Sequence, residues 1–139
     1  MLDESLRQQL LAAARRAREA AYAPYSNFKV GAAVLTATGE IFSGCNLENA
    51  SLGATMCAER VAICTAVAAG WRNFTALAVI ADTPEPVAPC GLCRQVLAEF
   101  SPDCQVLMAN LAGRWRLVNL QELFPLAFRL PPRECGEAS

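Results

Sequence analysis

The 139-residue chain contains no histidine, little charge and no apolar run of membrane-spanning length. Without histidine, proton transfer near neutral pH requires another group, and a carboxylate with a raised pKa is the obvious carrier. Charged residues make up only 18% of the chain and the net charge is −1. A surface for polyanions is therefore not expected, and we predict neither a nucleic-acid polymer nor a membrane as partner.

The chain also lacks the features of a secreted protein. Residues 1–4 are acidic, where a secretory signal would be basic. Seven cysteines is an odd number, which disfavours a complete disulfide framework. These features predict a cytoplasmic protein with reduced cysteines. The 54% share of hydrophobic residues, in a chain of one-domain length, predicts a packed core.

Hydrophobic periodicity predicts an α/β fold. Two apolar runs around Thr38 and Gly39 predict a β-hairpin, and later apolar runs alternate with helical segments. The helices are expected at residues 3–22, 56–69, 90–100 and 120–128, the last of them short and broken around Pro125. This alternation predicts a mixed sheet with helices on its faces, in which the hairpin is antiparallel and the later strands are parallel.

Two cysteine motifs carry the clearest chemical signal. Cys-Ala-Glu-Arg occupies residues 57–60, and Pro-Cys-Gly-Leu-Cys-Arg-Gln occupies residues 89–95. Three thiolates can bind one Zn²⁺ and leave its fourth position open for water. Each motif falls where a predicted helix begins, and the unpaired N–H groups of a helix start favour thiolate over thiol. Cys57, Cys90 and Cys93 are therefore the predicted ligands.

Two charged residues follow the first predicted ligand. Glu59 places one carboxylate beside the open metal position, so it is the predicted proton carrier. Arg60 is close enough in sequence to hydrogen-bond a sulfur and to offset the net charge of −1 that three thiolates give the metal. With that help, we expect water on the zinc to ionise at a pKa of about 7.

Two other interpretations of the cysteines remain open. A structural zinc site would need a fourth ligand, and the candidates are Cys45, Cys64, Cys104 and Cys135. A redox dithiol formed by Cys90 and Cys93 is the second alternative, although it leaves Cys57 and Glu59 unexplained. Otherwise the spare cysteines are expected to behave as small apolar residues, especially Cys64, with Cys135 a free thiol in the tail.

The two motifs resemble those of the small, homotetrameric, three-cysteine cytidine deaminases. The likeness extends to residues 25–33, Tyr-Ser-Asn-Phe-Lys-Val-Gly-Ala-Ala, and to residues 46–50, Asn-Leu-Glu-Asn-Ala, and it covers residues 22–128. The resemblance implies a three-layer α-β-α fold with a mixed five-stranded sheet and one Zn²⁺ per subunit. It also implies hydrolytic deamination of cytidine and deoxycytidine, with release of ammonia, in pyrimidine salvage.

The resemblance implies roles for the motif residues. Cys57, Cys90 and Cys93 would bind zinc, and water activated there would attack C4 of the cytosine ring. Glu59 would take the water proton, deliver it to N3 and later protonate the leaving amine.

Five further residues would bind the nucleoside if the resemblance holds. The Ala58 N–H would bond the pyrimidine carbonyl, and Phe28 would pack against the nucleoside. Asn46 and Glu48 would bond the ribose 3′-hydroxyl. Phe128 would reach the base across a subunit boundary of the homotetramer.

The chain departs from the family pattern at two places. Leu52 stands where family members commonly have a tyrosine after Asn-Ala-Ser, which bears on substrate affinity rather than on the chemistry. The end of the chain is longer than expected, so we predict a domain of residues 1–130 and a mobile tail of residues 131–139.

Three rival functions remain. A polynucleotide-editing deaminase would need a basic channel for a strand, which the charge pattern argues against. A deaminase for another aminopyrimidine nucleoside, such as an antibiotic, is disfavoured by the ribose-binding pair. A structural zinc module without catalysis is the third.

Overall fold

The computed structural model describes residues 2–132. Its elements, in chain order, are α1 (Glu4–Arg18), β1 (Val30–Thr36), β2 (Ile41–Cys45), a 3₁₀ turn (Leu52–Ala54), α2 (Ala58–Ala68), β3 (Phe74–Ala81), α3 (Gly91–Phe100), β4 (Gln105–Asn110), β5 (Trp115–Asn119) and α4 (Leu120–Leu123). Most of the predicted tail, residues 133–139, lies outside the described residues. In the part of the chain that is described, no helix is both long and apolar enough to cross a membrane.

The five strands form one mixed sheet in the order β2-β1-β3-β4-β5. β1 pairs antiparallel with β2 and β3, and β3 pairs parallel with β4. The prediction that the later strands run parallel is right for β3 and β4 but wrong for β5, which is antiparallel to β4. Only a tight turn containing Gly113, at φ 95°, separates β4 from β5, and so short a connection can join only antiparallel neighbours.

Helices cover both faces of the sheet. Successive strand residues point to opposite sides, so each face presents its own apolar side chains to a helix. On one face α1 packs in a buried cluster that includes Leu10, Ala14, Ala33, Leu35, Ile80 and Leu107. On the other face α2 and α3 pack in a cluster that includes Ala62, Ile63, Leu97, Val34, Val79 and Val106. The predicted three-layer fold with a mixed five-stranded sheet is confirmed.

Two helices are shorter than the periodicity predicts. α1 ends at Arg18 rather than at Tyr22. The Tyr22 N–H donates to Asn46 O at 3.0 Å instead of to a carbonyl of the helix. The last helix ends at Leu123, next to the break predicted around Pro125, and does not resume before Phe128. The residue before Pro125 is disfavoured in a helical conformation, and Phe124 has φ −146° and ψ 67°.

Two glycines set how closely the helices approach the hairpin. A Cβ added at Gly31 would lie 1.9 Å from Ala14 O of α1, and one added at Gly44 would lie 2.6 Å from Ala62 N of α2. Neither distance is tolerable for a real side chain. The absence of a side chain at Gly44 therefore allows α2, with its first turn, to lie directly against β2.

Candidate active site

The loops that carry the candidate site meet at one end of the neighbouring strands β1, β2 and β3. Val30, at the start of β1, pairs with Ala81, at the end of β3, and Gly31 pairs with Cys45, at the end of β2. The connections that leave β2 and β3 therefore begin side by side. Each of these connections leads into a helix, and the starts of α2 and α3 converge as a result.

Three cysteine sulfurs lie together at these helix starts. Cys57 and Cys90 are the residues immediately before α2 and α3, and Cys93 lies in the first turn of α3. The Sγ atoms of Cys57 and Cys90 are 3.7 Å apart, those of Cys90 and Cys93 are 3.4 Å apart, and all three lie within 4.8 Å of one another. Sulfurs bound to one tetrahedral Zn²⁺ at about 2.3 Å are about 3.8 Å apart. The sulfur triangle therefore fits zinc.

A fourth protein ligand does not join the cluster within residues 2–132. Cys104 is 1% exposed in the core, and Cys45 lies at the end of β2. Cys64, which was expected to behave as a small apolar residue, is exposed on α2. Cys135 lies outside the described residues. A set of three ligands suits a catalytic zinc, whereas structural zinc sites are fully ligated.

The electrostatics of the cluster favour a thiolate at Cys57. A hydrogen bond from the Cys93 thiol and the adjacent Arg60 guanidinium lower the pKa of Cys57. The same hydrogen bond, together with burial, raises the pKa of Cys93. The Nη2 atom of Arg60 lies 3.7 Å from the Cys57 sulfur and donates to Thr55 O at 3.0 Å. A bound cation would replace the proton that Cys93 retains here.

Glu59 is a buried acid, 5% exposed, on the first turn of α2. Burial raises the pKa of Glu59 to about 7, and the neighbouring Cys57 charge adds to the effect, while the Glu59 N–H and Arg60 oppose it. At neutral pH this carboxyl is therefore divided between its protonated and ionised forms. A group that must both accept and donate a proton in one reaction cycle needs such a pKa.

Asn46 holds the start of β1 in place. It is 8% exposed, its Oδ1 accepts from the Val30 N–H at 2.9 Å, and its Nδ2 donates to Phe28 O at 2.8 Å. An amide nitrogen carries two hydrogens, so one of them remains for another acceptor.

Glu48 organises the loop that precedes β1. Its Oε1 accepts from the N–H groups of Tyr25 at 2.9 Å and Ser26 at 3.1 Å, and its Oε2 accepts from the Ser26 hydroxyl. The hydroxyl bond is the main reason that the pKa of Glu48 is lowered. Glu48 is thus an ionised acceptor, and a carboxylate has about four acceptor positions in all.

The two predicted aromatic contacts are exposed in the isolated chain. Phe28 is 41% exposed and follows Asn27, which adopts the left-handed φ of 58°. Phe128 is 66% exposed in the segment that follows α4. Ala58, by contrast, is fully buried as the first residue of α2, and its N–H has no acceptor within the helix. Leu52 is 77% exposed on the 3₁₀ turn.

Two residues that contact this region are absent from the set predicted from sequence. Ser26 bonds Glu48 and also accepts from the Phe28 N–H at 3.0 Å. Arg94, directly after Cys93, donates to the carbonyl oxygens of Pro89 and Leu123. The position of Arg94 next to a ligand was a usable signal, whereas the partners of Ser26 depend on tertiary structure.

The fold and the site together define a class of protein. In this three-layer α-β-α fold, the starts of two helices bring three cysteines together, and a buried glutamate follows the first cysteine by two residues. This is the arrangement of a zinc-dependent deaminase.

Comparisons with known proteins agree with this class. The family model for the cytidine and deoxycytidylate deaminase zinc-binding region matches residues 4–109. Cytidine deaminase of Halalkalibacterium halodurans is 51% identical over 123 residues, which is 88% of this chain and 93% of that protein. The crystal structure of cytidine deaminase from Burkholderia pseudomallei superposes with a TM-score of 0.84 at 52% identity, covering 87% of this chain and 98% of that one. Blasticidin-S deaminase of Bacillus cereus is 35% identical over 107 residues, 71% of this chain and 76% of that protein.

The chain belongs to the cytidine and deoxycytidylate deaminase family. The predicted family membership and the predicted zinc cofactor are thereby confirmed.

Proposed function

We propose that the protein is a zinc-dependent cytidine deaminase, which hydrolyses cytidine and deoxycytidine to uridine and deoxyuridine with release of ammonia, as in pyrimidine salvage. One observation carries the proposal: three cysteine sulfurs lie within 4.8 Å of one another where the start of α3 meets the start of α2, the helix that bears the buried Glu59. The thiols must stay reduced to act as ligands, which fits the cytoplasm.

The metal ligands are Cys57, Cys90 and Cys93. When bound, Zn²⁺ supplies Lewis acidity that makes water a nucleophile near neutral pH. The Arg60 guanidinium, 3.7 Å from the Cys57 sulfur, withdraws charge from the thiolates and so preserves that acidity.

Glu59 carries the protons of the reaction. It accepts one proton of the water that attacks C4 of the cytosine ring and delivers it to N3. It then takes the proton of the new C4 hydroxyl and transfers it to the amine, whose bond to C4 breaks as the C4 carbonyl forms. Water and cytidine become uridine and ammonia, and Glu59 ends in its starting form. Burial favours the protonated form of this carboxyl, which suits a group that must also donate a proton.

The residues that recognise the substrate lie near the same end of strands β1, β2 and β3. The Ala58 N–H binds the pyrimidine carbonyl, and Phe28 packs against the nucleoside. The remaining amide hydrogen of Asn46 and an acceptor position of Glu48 bind the ribose 3′-hydroxyl. A free base would leave those polar groups unpaired, which costs substantial transition-state stabilisation.

The active assembly is a homotetramer in which Phe128 of a neighbouring subunit completes each pocket. Large apolar side chains that are exposed in the isolated chain offer surface that such an assembly would cover. These side chains include Leu52 at 77%, Leu92 at 66%, Phe128 at 66% and Leu130 at 75%.

A second candidate substrate is a nucleoside antibiotic, since one relative is a blasticidin-S deaminase. An ammonia-release assay on the zinc-loaded protein, with metal analysis of the same sample, decides between them. We expect turnover of cytidine and deoxycytidine, and kcat/KM at least about 1000-fold lower for free cytosine. Preference for blasticidin S over both nucleosides would transfer the proposal to the antibiotic, and no ammonia from any of them would refute it.

A further inference from the structure

One side chain joins two segments that are far apart in the chain. The Nε of Arg94 donates to Pro89 O at 2.8 Å, and its Nη1 donates to Leu123 O at 2.8 Å. Pro89 immediately precedes Cys90, and Leu123 is the last residue of α4. A single guanidinium therefore connects the loop that presents one metal ligand to the end of the last helix.

Two more hydrogen bonds extend this connection along the C-terminal segment, defined here as residues 124–130. Gln95 Nε2 donates to Phe128 O at 3.0 Å, and Arg129 Nη2 donates to Ala98 O at 3.3 Å. The segment contains neither helix nor strand. Its position along α3 therefore depends on these side-chain bonds and on the apolar contacts of Phe124 and Ala127.

The chemistry of Arg94 suits this task. Its planar guanidinium presents donors in fixed and different directions, so it can serve two carbonyl groups at once, and each bond is strengthened by the charge. A lysine ammonium on a flexible stem does not reproduce that geometry. Loss of the guanidinium would leave the last-turn carbonyl of α4 and the Pro89 carbonyl without this donor.

We propose that Arg94 is a positioning residue that couples the Cys90 loop to the C-terminal segment, so that the placement of Phe128 depends on the structure around the metal ligands. The consequence for catalysis rests on the proposed function, in which Phe128 contacts the substrate. The structural link itself rests on the hydrogen bonds of Arg94 and can be tested without measuring catalytic activity.

Limited proteolysis of the zinc-loaded, full-length protein tests the link. Trypsin can cleave after Arg129, and mass spectrometry identifies the product. We expect Arg94→Met to accelerate this cleavage at least about tenfold, since two charge-assisted bonds are lost, and Arg94→Lys to behave similarly. Cleavage after Arg72, in the connection between α2 and β3, should stay at the wild-type rate and so exclude general unfolding.

A matched control and a milder variant sharpen the result. Arg72 also donates to two carbonyl oxygens, those of Val67 and Trp71, both at 2.9 Å, so Arg72→Met should leave cleavage after Arg129 unchanged. Gln95→Ala, which removes only the bond to Phe128 O, should accelerate it by a smaller factor and serves if Arg94→Met does not fold. Wild-type cleavage after Arg129 in the Arg94 and Gln95 variants would overturn the proposal.

A double-mutant cycle tests the consequence for the substrate. We expect Arg94→Met to raise KM for cytidine about tenfold with a smaller change in kcat, and to add less than about twofold in a Phe128→Ala background. Independent, multiplicative effects would contradict the coupling. If Phe128→Ala alone leaves KM unchanged, the proposed substrate contact of Phe128 has failed instead, and the proteolysis result still decides the role of Arg94.

Discussion

One chain brings together the cysteines proposed to bind the metal, but it leaves the aromatic residues proposed to contact the nucleoside exposed. The three sulfurs already lie within 4.8 Å of one another at the starts of two helices. Phe28 and Phe128, in contrast, are 41% and 66% exposed. The metal centre is therefore a product of local spacing and helix packing, whereas the recognition surface is completed by what binds to it.

The pKa values of two glutamates, Glu59 and Glu48, are shifted in opposite directions on the two sides. Burial raises the pKa of Glu59 to about 7, beside the metal ligands. Hydrogen bonding to Ser26 lowers the pKa of Glu48, on the recognition side. One carboxyl is thereby suited to exchange protons and the other to remain an ionised acceptor, so the two environments assign different tasks to the same side chain.

The largest expected effect comes from breaking the metal side alone. Cys93→Ala leaves two sulfur ligands, and we expect zinc to fall below about 0.1 per chain after dialysis, because ligand loss removes much of the metal's binding free energy. Activity should fall with it. Cys104→Ala makes the same substitution at another buried cysteine and should retain zinc. Full zinc content in Cys93→Ala would show that this residue is not a ligand.

The next effect concerns how α2 is held against the hairpin. Gly44→Ala places a Cβ 2.6 Å from Ala62 N, and we expect it to lower the free energy of unfolding by about 1–3 kcal/mol through overpacking. Gly53→Ala is the control, because a Cβ there meets no atom within 4 Å. Denaturant titration of both variants measures the difference. Equal stability would mean that α2 does not lie as close to β2 as described.

Breaking the recognition side should leave the metal side intact. Phe128→Ala, or removal of residues 128–139, is expected to raise KM for cytidine about tenfold through lost apolar contact, with zinc content unchanged. Steady-state kinetics and metal analysis on one sample measure both quantities. Size-exclusion chromatography shows whether the truncation also disrupts the oligomer. Unaltered kinetics with an unaltered oligomer would count against the shared pocket.

The smallest effect is a pH dependence on the recognition side. The pKa of Glu48 in the folded protein is lowered, chiefly by the Ser26 hydroxyl, so its contribution to stability is present above the usual carboxyl pKa and is lost as pH falls through the lowered value. Ser26→Ala should therefore reduce the melting temperature at neutral pH, by an amount that shrinks at acid pH.

The control for this pH effect is Ser5→Ala on the exposed face of α1, where the hydroxyl bonds only Gln9. Its melting temperature should follow the wild-type curve at every pH. A gap between Ser26→Ala and wild type that stays constant or widens on acidification would refute the assigned cause.

The metal side was predictable from sequence because its residues lie in two short motifs with the spacing of metal ligands, although Cys57 and Cys90 are 33 residues apart. Cys90 and Cys93 are three residues apart at the start of α3, and Cys57 immediately precedes α2. The two motifs therefore place sulfur atoms at helix starts. The mixed sheet with helices on its faces followed from alternating apolar runs. The direction of β5 did not, because apolar periodicity predicts where strands lie but not the direction in which they pair.

The recognition side was harder to predict because its contacts join distant segments that no short motif marks as partners. Glu48 meets Ser26 across 22 residues of chain, and Arg94 meets Leu123 across 29. No periodicity encodes such pairings. The early end of α1 has the same origin, since Tyr22 leaves the helix to pair with Asn46.

The central claim is that a three-thiolate metal site works with one buried carboxylate as its proton carrier. Turnover of zinc-loaded Glu59→Gln tests it most directly, with Glu99→Gln, an exposed residue of α3, as the matched control. We expect Glu59→Gln to keep its zinc and its fold yet lose at least about 1000-fold in kcat, while Glu99→Gln stays near wild type. Near wild-type turnover by zinc-loaded Glu59→Gln would contradict the account.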